Sequence, residues 1–428
     1  MPFKSIINKK GFVALFVTIL VLVMMFGIAM SIAVITLGAE LISSNIVKST
    51  QAYYAAEAGL EDAILRLKEK MNVPSAYVFG TGNGISSVSV SDIIGGSRTI
   101  EGQGDFFGRI RKVRIVYAID ASEISFYYGA QVGDGGMVMG NNSRIKGNLF
   151  SNGNVIASAG KGYIDNNVIV AKNGNKIRGL EVGQEALVHT CEESVIGGDL
   201  TYVSGGSVVN CPAGGLVKSR PNEIDPMPFP VSQQQIQLWK EDAGNGGILN
   251  YDVLFDGSSA DFGPVQVGTE TDPKNLTIDN NSHLYVSGTI YVTGNIIFNN
   301  NSIIELDQDC YGSLGGVIIA DGNIVLSNGA IIKGSGQPGS YILVLSTSSS
   351  LDSGNPAILV SNNSQGAIFY AGQGLIYLNN NMEAREITAY KVQINNNAEI
   401  EYESGLESAL FTSGSGGSWK VDNWKEIE

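Results

Sequence analysis

"NIIFNNNSII" (residues 295–304) and "NIVLSNGAII" (residues 323–332) are two copies of one pattern, a pair of short apolar strands joined by an asparagine turn. Asparagine tolerates the left-handed backbone of a tight turn, and Ile, Val and Phe favour strands. "LTIDNNSHL", "ILVSNNSQG", "IYLNNNMEA" and "VQINNNAEI" repeat the pattern. The matched residues are Asn280, Asn300, Asn328, Asn362, Asn380 and Asn396, separated by 20, 28, 34, 18 and 16 positions. Upstream, "VMGNNSRI" and "YIDNNVIV" place Asn141 and Asn166 in the same way. The interval of 28 reads as one coil carrying the insert "DQDCYGSLGG"; that of 34 reads as two coils, with "LVLSTSS" around Thr347 as an unmarked copy.

A repeat of about 18 residues is too short for a helical pair and fits an all-β parallel β-helix or similar solenoid. Stacked coils would set each asparagine above the last, so that the side-chain amides satisfy one another as a ladder. Inward Ile, Val and Leu would fill the core. A β-sandwich with Asn-rich turns is the alternative, but it gives no reason to repeat one turn at coil spacing. The lack of a hexapeptide rhythm favours a right-handed coil. Residues 131–211 are expected to form the first part of the solenoid, and 266–428 its main part with a C-terminal cap. Between them, residues 212–265 contain a Pro-rich insertion, with five of the eleven prolines at 212–230. A short helix follows, opened by a capping box of Ser232 and Gln235 ahead of Ile236 and Trp239. An open solenoid end exposes unpaired strand edges. The insertion, and the tail with Trp419 and Trp424, are expected to cover such ends.

Composition agrees with a turn-rich fold: Gly accounts for 54 of 428 residues. The net charge is −14, and without the three lysines of residues 1–11 it would be −17, which argues against nucleic acid as a partner. Three cysteines exclude a disulfide-dense scaffold, and two histidines argue against a His-rich metal site.

From Gly11 to Ala39 the chain has 29 residues without a charge. About 20 apolar helical residues cross a bilayer, so a transmembrane half at 12–39 is expected, with the lysines inside and the remainder outside. The helix should continue to residue 70 along a stripe of Tyr53, Ala56, Leu60, Ala63 and Leu67, and break at Pro74. Residues 71–130 read as a small antiparallel β subdomain, with strands such as "GISSVSVSD" and "GRIRKVRIVYAID". Its basic cluster, Arg109, Arg111, Lys112 and Arg114, reads as a solvated strand face.

Lys9-Lys10-Gly11-Phe12 before the apolar helix resembles the class III leader of type IV prepilins. "QAYYAAEAGLEDA" is similar to the stretch that closes the N-terminal module of PilX-type minor pilins. The resemblance covers about residues 8–70. It implies an α+β N-terminal part, a leader at residues 1–11 cut after Gly11 by prepilin peptidase, and methylation of Phe12. It also implies partners: other pilin subunits through the helix, and the lipid bilayer during assembly. Major pilins carry Glu at the fifth mature position, where this chain has Phe16. That carboxylate is thought to meet the free amine of the preceding subunit, so its loss suits a subunit with nothing above it.

Signs of enzyme chemistry are sparse. "SRIKG" (143–147) holds the Arg-Ile-Lys of polygalacturonases, but the chain has no Asp-Asp pair and no Gly-His-Gly. "GSGQPG" (334–339) precedes a strand rather than a helix, so it cradles no phosphate. Glu305, Asp307 and Asp309 would share one face if extended, a weak metal candidate beside the simpler reading of a hydrated strand end. Cys191 and Cys211 lie 20 apart, about one coil, and form either a disulfide or two buried thiols. No catalytic residue and no cofactor is expected. The chain reads as a non-enzymatic, PilX-like minor pilin of the cell membrane and then the surface or pilus. It would act in assembly or adhesion at or near the tip, with a surface or glycan ligand as a further partner. The alternatives are a membrane-anchored carbohydrate-active enzyme and a signal-anchored protein that never enters a filament.

Overall fold

The structure is a computed structural model that describes residues 9–68, 71, 73–91, 97–119, 121–158, 160–361, 364–412 and 419–427. It divides into two compact units. The first holds residues 1–92, 99–117 and 421–428; the second holds 93–98 and 118–420.

In the first unit, helix α1 (Lys9–Lys68) is uncharged from Gly11 to Ala39 and exposes its apolar side chains along that length. Its C-terminal part packs on a sheet of β1 (Ala76–Thr81), β2 (Gly84–Val90), β3 (Ser97–Phe106) and β4 (Arg109–Ile119). Ala56, Leu60 and Ala63 of the expected stripe are buried, together with Ala52, Ala55 and Gly59, whereas Tyr53 and Leu67 are only half-buried, so the buried face is made mostly of small residues. Small residues are needed because the backbones nearly touch. A Cβ on Gly104 of β3 would lie 1.9 Å from the Ala52 carbonyl oxygen, and one on Gly102 2.4 Å from that of Ala56. The basic cluster is exposed, as expected of a solvated strand face, and two of its members also reach α1. Arg109 donates to Asn45 Oδ1 (2.8 Å) and Arg111 to Ser49 Oγ (2.7 Å), tying β4 to the polar side of α1.

The sheet's fifth strand is the C-terminal segment Trp419–Ile427, beside β4, where Glu426 pairs with Arg111 at 3.2 Å. The expectation of a tail capping the solenoid is therefore corrected, and Trp424 is exposed on this strand. The side chain of Trp419 lies outside the described residues. The boundary at 130 moves as well: β5 (Ala121–Ile124) pairs antiparallel with Ala409–Thr412 inside the second unit. The second unit is thus inserted between β4 and the last strand of the first.

The second unit is a solenoid of short parallel strands in three lines. Leu149–Ser151, Val155–Ala157 and Gly162–Ile164 each pair with the equivalent strand one coil on, at Val168–Val170, Lys176–Arg178 and Leu180–Val182. One residue of each alternating pair points inward, giving a core of Ile, Val, Leu and Ala. The winding order is unexpected. β6 (Ala130–Met139) pairs with Glu386–Ile394, the last full coil, so the chain enters mid-stack. It winds outward to Val217–Arg220, crosses the body, and resumes at the opposite end with Ile248–Leu249 and Val253–Asp256. From there it winds back to meet β6.

Residues 221–247 are this return connection rather than an end cap, and the coils restart near 248 rather than 266. The connection lies on an outward apolar row. Its helix α2 (Gln233–Asn245), capped by Ser232 Oγ on Gln235 N–H at 3.1 Å, seats Ile236, Trp239 and Ala243 against Tyr291, Val317, Ile319, Leu343 and Leu345. Farther along, Ile224 and Met227 cover Phe150, Ala171 and Val203.

The asparagine turns join the second and third strand lines. Asn280, Asn300 and Asn328 adopt φ of 52°, 48° and 54°. Asn300 Nδ2 donates to Asn280 Oδ1 (3.2 Å), and Asn328 Nδ2 to Asn300 Oδ1 (3.1 Å). Farther up the stack the contact changes. Asn380 Oδ1 accepts from the backbone N–H of Asn396 (3.2 Å), and Asn396 Oδ1 from that of Asn141 (2.8 Å). In these turns it is the second residue, Asn381, Asn397 or Asn142, that has positive φ. Asn362 lies outside the described residues.

Two assignments change. Asn166 sits at another corner, between Ile164 and Val168, and Ile324 pairs directly with Ile358, so the interval of 34 is one enlarged coil. "LVLSTSS" contributes a strand to a different line, Ile342–Ser346. A second ladder, missed in the sequence, runs along Asn275, Asn295 and Asn323, each Oδ1 of the first two accepting the next backbone N–H at 2.8 Å. Its signal was the recurrent Asn directly before an apolar triplet. Ala at position 300 would lose the ladder bonds and strain a left-handed site. Asn300→Ala is expected to cost about 1–3 kcal/mol, and Asn300→Gly less, because Gly keeps the backbone relaxed. Thermal unfolding of the two variants checks the order.

Candidate functional site

Gly11 and Phe12 lie in the first turns of α1, which begins at Lys9. The side chain of Phe12 lies outside the described residues. Phe16, one turn on, is 63% exposed, among Val13, Leu15, Val17, Ile19 and Leu20. No charge interrupts this surface before Glu40. The segment from Val13 contains an 18-residue window of mean hydropathy 2.8, none of it buried, so the helix is long and apolar enough to cross a membrane. Half of α1 is thus an apolar surface without a partner in the chain, and half is seated on the small sheet.

The acidic trio does not form a shared face. Glu305 is the penultimate residue of the strand Ile303–Leu306, with its carboxylate held by Lys333 Nζ (2.8 Å) and His283 Nε2 (3.0 Å). Burial acts to raise its pKa, but the hydrogen bonds and charges of Lys333 and His283 together outweigh that and hold it below the usual value. Asp307 instead caps the short helix α3 (Gln308–Tyr311), accepting from the N–H groups of Asp309 (2.8 Å) and Cys310. The chain turns into helix after Leu306, so the alternation that would align the three carboxylates stops there. Among the described residues no group of three His, Cys, Asp or Glu side chains could hold a metal ion. Cys191 and Cys211 are joined as a disulfide across the last coils before the return connection.

A buried carboxyl went unnoticed in the sequence. Glu386 is 1% exposed and alternates with the core residues Ile387 and Ala389, which places it on the outward side of its strand. Thr388 Oγ1 donates to its Oε1 (2.7 Å), while among the described residues Oε2 has no partner. Burial pushes its pKa well above the usual value. A folded-state pKa above the unfolded one means stability is full below the unfolded value, about 4.5, and falls as pH rises toward the folded value. Glu386→Gln removes that ionisation. It is expected to match the wild type near pH 4 and to melt higher at pH 8, a gain of about 1–3 kcal/mol. Parallel melts across that range check it.

Residues 10–61 match the family model described as PilX N-terminal. No curated protein matches the chain. Among solved structures, the competence-associated pilin ComZ from Thermus thermophilus is similar at 10% identity and a TM-score of 0.26, covering 89% of this chain and 97% of its own. An ice-binding protein from the Antarctic ascomycete Antarctomyces psychrotrophicus aligns at 9% identity and a TM-score of 0.21, covering 65% and 95%. An ice-binding protein from an Antarctic Flavobacteriaceae bacterium aligns at 10% identity and a TM-score of 0.14, covering 64% and 81%. Residues 10–61, which hold the charge-free run from Gly11 to Ala39, are thus similar to the N-terminal module of PilX-type proteins.

Proposed function

We propose that this protein is a minor, structural subunit of a type IV pilus system, placed at or near the filament tip and acting in assembly or adhesion. Prepilin peptidase would cut after Gly11 and expose Phe12 for methylation, and the apolar half of α1 would pass from the bilayer into the filament core. The observation that carries the tip placement is Phe16, an exposed apolar residue at the position where major pilins hold a carboxylate. A carboxylate in lipid or in an apolar core needs a partner. A subunit without one makes no such contact to a neighbour above, and the first subunit needs none. The bulk of the second unit, residues 118–420, favours the same placement, because it would crowd a lattice that repeated it in every subunit. Gold-labelled antibody to the solenoid should decorate filament ends. Label spaced evenly along the shaft would overturn the tip placement, and deletion of the gene without loss of piliation or attachment would overturn both roles.

A further inference from the structure

The solenoid carries a cleft of about 580 Å³ whose lining includes Glu305, Lys333, Tyr341, Glu383, Arg385 and Glu403. Part of its lining is the loop 334–340, whose shape is held by three hydrogen bonds. Ser335 Oγ donates to the Gly312 carbonyl, Ser340 Oγ to the Leu314 carbonyl (2.8 Å), and Ser335 N–H to Ser340 Oγ (3.0 Å). Also in the lining, Glu403 holds two groups at once: Arg385 Nη1 at 2.7 Å and the hydroxyl of half-buried Tyr341 at 2.9 Å. Burial, with that hydrogen bond second, pushes the Tyr341 phenol up to about 12, so it remains a neutral ring. Lys333 is engaged by Glu305. Glu383 lies in the same row of strands as Glu399, and among the described residues its carboxylate has no hydrogen-bond or ion-pair partner.

We propose that this cleft is a saccharide-binding site for neutral glycans built of hexoses or N-acetylhexosamines. A sugar ring presents apolar C–H faces and hydroxyl edges. The cleft offers a half-buried aromatic ring for the first, and planar carboxylate and guanidinium groups for the second. Its charges decide the class. Both cations are already paired with Glu305 and Glu403, which leaves Glu383 as the surplus charge. An extra carboxylate repels sialate, uronate, sulfate and phosphate, but it accepts two hydroxyl hydrogen bonds from a neutral ring. The fixed loop and the Glu403 clamp mean that little ordering is needed on binding.

The inference rests on the reading that the solenoid meets an external surface, and it names what would be met there. Its test is the full-length protein in detergent on an array of neutral hexose and N-acetylhexosamine oligosaccharides, with their sialylated and sulfated counterparts alongside. Wild type should bind neutral members and reject acidic ones. Glu383→Gln, which breaks no contact within the fold, should weaken binding at least tenfold, and Tyr341→Ala should abolish it. Glu181→Gln, elsewhere on the solenoid, should bind as wild type and control for surface charge. Absence of neutral-glycan binding, preference for sialylated glycans, or binding unchanged in Glu383→Gln would each overturn the site. Array binding with attachment intact in a deletion strain would overturn the adhesive role and leave the cleft standing.

Discussion

Replacing Gly104 by Ala is expected to unseat α1 from the small sheet while leaving the solenoid folded. The added Cβ would lie 1.9 Å from the Ala52 carbonyl oxygen and 2.5 Å from the Ala56 backbone nitrogen. Both are backbone atoms of a hydrogen-bonded helix, so neither can swing aside as a side chain would. The helix must lift or the sheet must bend, and either exposes the row of Ala52, Ala55, Ala56 and Leu60 to water. A cost of about 2–4 kcal/mol follows for a unit with a small core. Hydrogen exchange on the full-length variant in detergent should rise across residues 84–117 and stay unchanged in the coils around Ile318 and Val344. Unchanged protection in the sheet would contradict the close-contact account of the "AEAGL" segment.

Trp239→Ala should have the larger effect on the second unit. Trp239 is 2% exposed and sits with Ile236 and Ala243 on the outward apolar row. Beside it Lys240 pairs with Asp321, and the Tyr291 hydroxyl donates to the same carboxylate at 2.5 Å. Truncating a buried tryptophan costs about 3–5 kcal/mol. Here the loss falls on a connection that spans the body rather than on the coils themselves. The expected result is a lower melting temperature together with new protease cleavage within 221–247, because a loosened connection exposes both its own backbone and the row beneath. Loss of stability with no cleavage there would mean that the coils, and not the connection, depend on this residue.

The two scales of the fold were not equally legible in the sequence. Coil-level features were readable because local chemistry sets them: an Asn at left-handed φ, an apolar triplet, a Ser232 cap. What lay beyond reach was the order of the coils. Nothing local in "AQVGDGGMVM" says that it stacks on "EITAYKVQI" some 250 residues later, since every coil edge offers the same unpaired backbone groups. The same blindness sent the tail to the wrong place, because an alternating strand pairs equally well with a solenoid edge or with β4. Glu386 escaped notice because an isolated glutamate in a strand normally faces water; only the packing around the outward row shows that this one does not. On α1, the expected stripe holds at Ala56, Leu60 and Ala63, while Ala52 and Ala55 were missed because alanines carry little hydrophobic signal of their own.

The central claim is that the N-terminal module is processed and used as a pilin's. Mass spectrometry of the N-terminal peptide from protein recovered from its native cells tests it most directly. The account predicts a mature chain that begins at N-methylated Phe12. A chain that retains Lys9, Lys10 and Gly11 would contradict it and leave an anchored solenoid that does not enter a filament.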